Sequence, residues 1–214
     1  MPSIPKREQP DLSSMEGRRA RSVRTRLAII NALRSLHEEG NLRPTAARVA
    51  ERGGVSLRTV WHHFADFESL LVEAGERDFE LLREYMTPID AGQPLPTRLR
   101  QFVSQRARIY ETFAPVWRAA RLQEPFSPQI RRSRDRLYAV ARNQLQTVFA
   151  TELERLTACE RAPVFNALQQ LSSWTAWEGF RTELHLSVSE AEHAVMAGLA
   201  ALTRAADQLY DPDG

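Results

Sequence analysis

An all-α fold is what this sequence predicts, and three observations carry that expectation. Apolar residues recur at three- and four-residue spacing in the long segments, no stretch shows the strict alternation of a half-buried strand, and Ser, Thr, Gly and Pro stand where helices would start and stop. The arrangement implied is an N-terminal three-helix head containing a helix-turn-helix, a linking helix, and a C-terminal helical bundle.

Residues 1–17 are polar, contain Pro2, Pro5, Pro10 and Gly17, and read as a mobile tail. From Arg19 to Glu39, Val23, Leu27, Ile30, Leu33 and Leu36 mark the apolar face of a first helix, which Gly40 ends. Thr45 caps a short second helix through Arg52, carrying Val49 and Ala50, and Gly53-Gly54 terminate it because glycine tolerates positive φ. Ser56 caps a third helix with Val60 and Phe64 on its inner side and Leu57, Arg58, Trp61 and His62 on the other. A fourth runs from about Glu68 to Met86 and stops before Pro88. The segment 87–96 is a loop or hinge. Further helices are expected near 97–113, 115–122, 127–155, 161–184 and 189–209, with Pro115, Pro125, Pro128 and Pro163 as boundaries and Ser187 and Ser189 as caps. The domains that follow are 1–17 as tail, 18–66 as head and 67–214 as bundle.

Charge is distributed unevenly along the chain. Residues 1–63 hold 12 Lys and Arg against 6 Asp and Glu, whereas the remainder holds 17 against 21. A basic head on an acidic body suits binding to nucleic acid, because phosphate neutralisation is the main sequence-independent source of affinity. No run of about twenty apolar residues is present for crossing a bilayer, and no apolar signal core opens the chain, so the expected location is the cytoplasm. A single cysteine, Cys159, excludes an intrachain disulfide and a cysteine-based zinc site. The five histidines, His37, His62, His63, His185 and His193, form no His-x-x-x-His pair. Without a glycine-rich phosphate loop or a nucleophile elbow either, an enzyme is not expected, nor is a metal or cofactor.

Two short helices around a glycine-containing turn on a basic segment satisfy the description of a helix-turn-helix. The residues are Thr45-Ala46-Ala47-Arg48-Val49-Ala50, then Gly54-Val55-Ser56, then Thr59-Val60-Trp61-His62-His63-Phe64, then Asp66 and Glu68-Ser69-Leu70-Leu71. This stretch resembles the DNA-binding signature of the tetracycline-repressor (TetR) family, with the resemblance running from Arg19 to Leu71. The resemblance implies that Thr45 and Thr59 meet the phosphate backbone, near the Ser56 cap, while Leu57 and Arg58 reach base edges. It places Trp61 where the family usually has tyrosine, and His62 and His63 at the end of the helix near the backbone. Phe67 occupies a position where the family commonly has a phosphate-binding lysine, and Arg18, Arg19, Arg21, Arg24 and Arg26 are candidates to compensate.

Beyond residue 97 the resemblance rests on architecture alone. It implies a homodimer built on the last two helices, with Trp174, Trp177, Ala194, Gly198 and Ala201 at the interface. A pocket for a small molecule of unknown identity would be lined from Phe102, Tyr110, Phe113, Trp117, Arg121 and Tyr138. The run Arg118, Arg121, Arg131, Arg132, Arg134, Arg136 and Arg142 reads as a solvated face, an anion site or a second contact to DNA. The function implied is a regulator that binds double-stranded DNA, a repressor released from a near-palindromic operator by its ligand. The alternative is a helix-turn-helix regulator without inducer, controlled by a protein partner.

Overall fold

The computed structural model describes residues 12–209, and within them every regular element is helical. The chain divides into two compact units, Met1–Ala74 and Gly75–Gly214. In the first unit, α1 (Leu12–Glu38), α2 (Ala46–Arg52) and α3 (Leu57–His63) precede α4 (Phe67–Tyr85), which continues past the boundary into the second unit. The division therefore falls within α4 and not at residue 66. Residues 12–17, expected as tail, are helical; the rest of that tail lies outside the described residues.

The core of the first unit gathers Ile29, Ile30, Leu33 and Leu36 from α1, Val49 and Ala50 from α2, Val60 and Phe64 from around α3, and Leu70 and Ala74 from α4. Val23 was expected in this face but is 57% exposed, because the core begins a turn and a half further on. Gly53 permits a close approach of α2 to α1: an added Cβ would stand 3.2 Å from the Val49 carbonyl oxygen and 3.4 Å from Ala32 Cβ. Gly54 then turns the chain at φ +64°.

The second unit comprises the rest of α4, α5 (Leu95–Gln123), a 3-10 turn (Glu124–Phe126), α6 (Pro128–Val148), α7 (Ala150–Glu154), α8 (Ala158–Leu171), α9 (Trp174–Glu178), a π-helical turn (Gly179–Glu183) and α10 (Val188–Leu209). Four expectations about these helices are corrected. α5 runs through Pro115 and α8 through Pro163, so these prolines lie inside helices. A proline removes one ladder bond and strains the helix by about 3 kcal/mol, a cost that tertiary burial outweighs around Pro115, where Phe113, Ala114 and Ala119 are all buried. The helix expected over 161–184 instead breaks at Ser172-Ser173, where the Ser173 hydroxyl accepts from Ala176 N–H at 3.2 Å and starts α9. The expected 127–155 helix is interrupted at the fully buried Phe149.

α5 is the organising helix of this unit, and a buried ion pair sets its start. Arg98 and Glu152 have side chains only 4% and 6% exposed, joined by bonds of 2.9 and 2.6 Å. The remaining donors of Arg98 reach the carbonyls of Gln93, at 2.8 Å, and Val148. Removing one member leaves a buried charge unpaired, so Arg98→Ala is expected to lower stability to urea by about 3–5 kcal/mol. The double change Arg98→Met with Glu152→Leu is expected to lose far less. Equal losses in the two variants would mean that the pair does not act by mutual neutralisation.

His37, near the end of α1, is buried and its Nε2 has no hydrogen-bond partner; burial lowers its pKa from 6.5 to about 4, against a smaller upward pull from Glu38. Its depressed folded pKa means that the unfolded chain binds the proton more readily. Stability is therefore lost as pH falls from about 6.5 towards 4, by roughly 2 kcal/mol at pH 4.5 for this group. Urea midpoints measured from pH 7.5 to 4.5 are expected to fall less steeply for His37→Leu than for the parent chain; parallel curves would refute the assignment.

Candidate nucleic-acid interface

A helix of seven residues does not form alone, since nucleation outweighs the few bonds it makes. α3 is held at both ends. At its start the Ser56 hydroxyl accepts from Thr59 N–H at 3.0 Å and meets the Thr59 hydroxyl at 2.8 Å. Thr45 does the same for α2, accepting from Arg48 N–H at 3.3 Å. At the end of α3, Arg26 of α1 donates to the His63 carbonyl at 2.6 Å while its other nitrogens bind the Glu73 carboxylate of α4. The same guanidinium lies 4.5 Å from the centre of the Phe64 ring. Arg26, expected among the arginines available to DNA, is therefore a clamp between α1, α3 and α4. Its partner lies 47 residues away in sequence, which no local pattern reveals.

The outer face of α3 is open. Leu57 and Trp61 are 42% and 43% exposed, and Arg58 and His62 are exposed beside them, while Val60 and Phe64 are buried. His63 is half-buried; burial, with the neighbouring charges of His62 and Arg26, lowers its pKa, so its imidazole is neutral at neutral pH. A neutral ring can donate from one nitrogen and accept at the other. Thr45 is exposed and Thr59 half-exposed. Phe67 packs against the core of this unit, which accounts for an apolar side chain at the start of α4.

Besides Arg26, the described arginines of this unit fall into two groups. Arg34, Arg48 and Arg52 pair with Glu38, Glu51 and Glu39. Arg19, Arg21, Arg24, Arg43 and Arg58 are exposed and have no carboxylate partner among the described residues. Arg43, in the loop before α2, joins this set without having been singled out by sequence. The side chain of Arg18 lies outside the described residues.

In the second unit the expected ligand and dimer residues merge. Tyr110 sits 5.8 to 6.0 Å, centre to centre, from Trp117, Trp174 and Trp177, and Trp117 lies 5.4 Å from Trp174 and stacks on Phe113. Phe102 and Phe113 are fully buried, and the Tyr110 hydroxyl donates to the Ser172 carbonyl at 2.5 Å. Arg121 is exposed and donates to Thr175 at 3.2 Å; Tyr138 is 39% exposed. Trp177 is buried within the chain, and its indole N–H donates to Glu111 at 2.8 Å. Burial acts to raise the Glu111 pKa, but bonds from Arg181 and Trp177 hold it below the usual range. Gly198 meets its own α8, where a Cβ would collide with Leu171. Trp177 is thus buried by intrachain packing, while Trp174, Ala194, Gly198 and Ala201 keep surface to offer.

A cleft of about 760 Å³ lies between the 87–93 loop, α5 and the start of α10, with Gln101, Gln105, Arg108, Glu111 and Glu192 among its walls. None of the six expected ligand residues lines it. The basic run is largely matched internally. Arg118 pairs with Glu178, Arg134 with Glu124 and Asp135, and Arg136 with Glu76. Arg131 binds the carbonyls of Glu124 and Pro125, and Arg142 binds Gln169 at 2.6 Å; Arg132 alone in the run has no partner among the described residues.

The all-helical architecture is one shared with solved proteins described as transcriptional regulators. The chain is similar to a transcriptional regulator from Rhodococcus sp. Rha1, with 19% identity and a TM-score of 0.64 over 86% of this chain and 96% of that one. A proposed regulator from Pseudomonas aeruginosa PAO1 aligns with 16% identity and a TM-score of 0.60, covering 87% and 93%. A proposed TetR-family regulator from Mesorhizobium loti MAFF303099 aligns with 18% identity and a TM-score of 0.55, covering 86% and 98%. No protein-family profile matches the chain, and no curated protein matches it by sequence. No helix among the described residues is long and apolar enough to cross a membrane, and they contain no cluster of His, Cys, Asp and Glu suited to a metal ion.

The clamp makes a specific demand. Because both members are over a third exposed, Arg26→Ala is expected to lower stability by only about 1 kcal/mol. Amide exchange over residues 60–64 should quicken much more than exchange over 29–36. Uniform acceleration across both segments would show that Arg26 supports the whole head and not the end of α3.

Proposed function

We propose that the chain is a sequence-specific DNA-binding regulator of the TetR type, acting as a homodimer and as a repressor released from a near-palindromic operator by a small molecule. The observation that carries this reading is the exposed outer face of α3, with Leu57, Arg58, Trp61 and His62 presented on a helix fixed at both ends. The regulator descriptions of the three structural neighbours support it. Its work is binding in the cytoplasm, not turnover.

In this reading α3 enters the major groove. Arg58 donates a bidentate pair to guanine O6 and N7, and Leu57 touches a thymine methyl. Thr45, Thr59, Trp61, His62 and His63 face phosphates, where hydroxyls, the indole N–H and imidazole N–H groups act as donors. The carboxylate-free Arg19, Arg21, Arg24 and Arg43 supply electrostatic affinity that Phe67 does not. Trp174, Ala194 and Ala201 contribute to a two-fold interface, which places the two α3 helices roughly 34–36 Å apart for successive major grooves. Ligand in the C-terminal unit displaces the equilibrium through α4, and release requires that it bind the DNA-incompetent state more tightly.

Selection from a random double-stranded DNA pool at fixed near-physiological salt is expected to enrich an inverted repeat. Arg58→Ala should then lose discrimination at one base pair per half-site, by roughly 1–3 kcal/mol, while keeping the non-specific affinity and its salt slope. A pool without a motif would remove the sequence-specific reading.

A further inference from the structure

Two arginines of α5 are buried two turns apart, and only one has a counter-ion. Arg98 holds Glu152 in a bidentate pair. Arg106 is 7% exposed and has no carboxylate partner among the described residues. It donates to the Ala141 carbonyl of α6, at 2.9 Å, shares a hydrogen bond with the Tyr110 side chain, and lies over the face of Phe102, at 4.9 Å. Its Nε is buried with no acceptor at all. Next to it on the same α5–α6 seam, Gln144 donates to Gln105 and leaves its own buried Oε1 without a donor.

A buried charge without a partner is costly, and proteins ordinarily pair it or let it neutralise. Arginine cannot neutralise within the accessible pH range, so a guanidinium in this position needs an anion. Its planar fork of N–H donors matches a carboxylate in two parallel bonds, which a carbonyl, a neutral phenol and an aromatic face do not replace. The surroundings supply the rest of a ligand site. Phe102 lies against the guanidinium and the Tyr110 side chain hydrogen-bonds to it. Tyr138, near Tyr110 and 39% exposed, marks the outer edge towards solvent. Apolar and aromatic walls around a few fixed polar groups are the usual composition of a small-molecule site.

We infer that Arg106 is the anchor for a small organic carboxylate, with the anion on the guanidinium and an apolar or aromatic body along Phe102, Tyr110 and Tyr138. The inference rests on reading the C-terminal unit as a ligand sensor. It names the class of ligand: a monoanion of modest size, carrying its charge at one end. The Gln144 carbonyl oxygen adds an acceptor for a hydroxyl or protonated group beside the carboxylate.

The test uses the full chain without DNA. Benzoate and octanoate are titrated, each against its neutral amide, with thermal midpoint and tryptophan fluorescence as readouts. The expected result is a rise in midpoint and a saturable fluorescence change with at least one carboxylate and with neither amide. Arg106→Met should weaken that carboxylate at least about tenfold, the loss expected for charge-assisted bonds, while itself melting no lower than the parent chain. Arg106→Lys, which keeps the charge but not the fork, should fall between the two and covers the case in which the methionine variant does not fold. Silence with both carboxylates, equal responses to acid and amide, or an undiminished response in both variants overturns the proposal. A chain that binds carboxylate through Arg106 but never releases DNA would sink the sensor reading and leave this one standing.

Discussion

The three hydrogen bonds of Arg26, two to the Glu73 carboxylate and one to the His63 carbonyl, fix the last turn of α3 against α1 and α4. Within α3 itself only Val60 is buried, so hydrophobic anchoring of this helix amounts to one valine and the adjacent Phe64. A surface that reads bases must nevertheless hold its side chains to a fraction of an ångström. The Ser56 cap does this at one end and Arg26 at the other, and between them the outward direction of Leu57, Arg58 and Trp61 follows from helical geometry alone. Stabilisation by the clamp is modest because it is partly solvated; its value lies in geometry.

The parts of this head that were legible in the sequence are those governed by local rules. Thr45 and Ser56 cap their helices because their hydroxyls reach the amides three residues on, and Gly54 adopts positive φ because a side chain resists it. The inner and outer faces of α3 follow from the period. The clamp was not legible, because Arg26 and Glu73 each look like one more surface charge until the chain is folded. A missed signal was nonetheless present further on: Thr157 and Glu160 form a capping box at the start of α8, with Glu160 accepting from Thr157 N–H at 3.0 Å. Reading that pair would have outweighed Pro163 as the boundary. Likewise Ser187 and Glu190, and not Ser189, make the box that opens α10.

Aromatic residues of the second unit show a deeper limit. An apolar face at helical spacing is the same pattern whether it meets a core, a ligand or a second copy of the chain, so Tyr110, Trp174 and Trp177 could not be sorted by spacing. In the structure the tryptophans expected at an interface lie against the tyrosine expected in a pocket. The arginine run was ambiguous for a related reason. Seven cations in a stretch look like an anion site, yet Glu76, Glu124 and Glu178 come from three separate segments to meet three of them.

What prevents so large an aromatic cluster from packing in several registers is the set of directional bonds strung along α5. Arg98 meets Glu152, Gln105 donates to Thr87 and accepts from Gln144, Tyr110 donates to Ser172, and Glu111 accepts from Trp177. Rotating or sliding α5 by one residue would break every one of them at once, at the full desolvation cost of each group left behind, whereas the apolar contacts alone could re-form in part. Such a network makes the helix a rigid ruler against which a single unmet group stands out. Arg106 is that group. Flanked on the same helix by Gln105 and Tyr110, its guanidinium has one carbonyl, the Tyr110 side chain and one ring where Arg98 has a carboxylate and two carbonyls. A fold able to place Glu152 opposite one buried arginine faces no physical obstacle to placing an acid opposite another. The difference between the two sites therefore points to a charge left available for something that arrives from outside the chain.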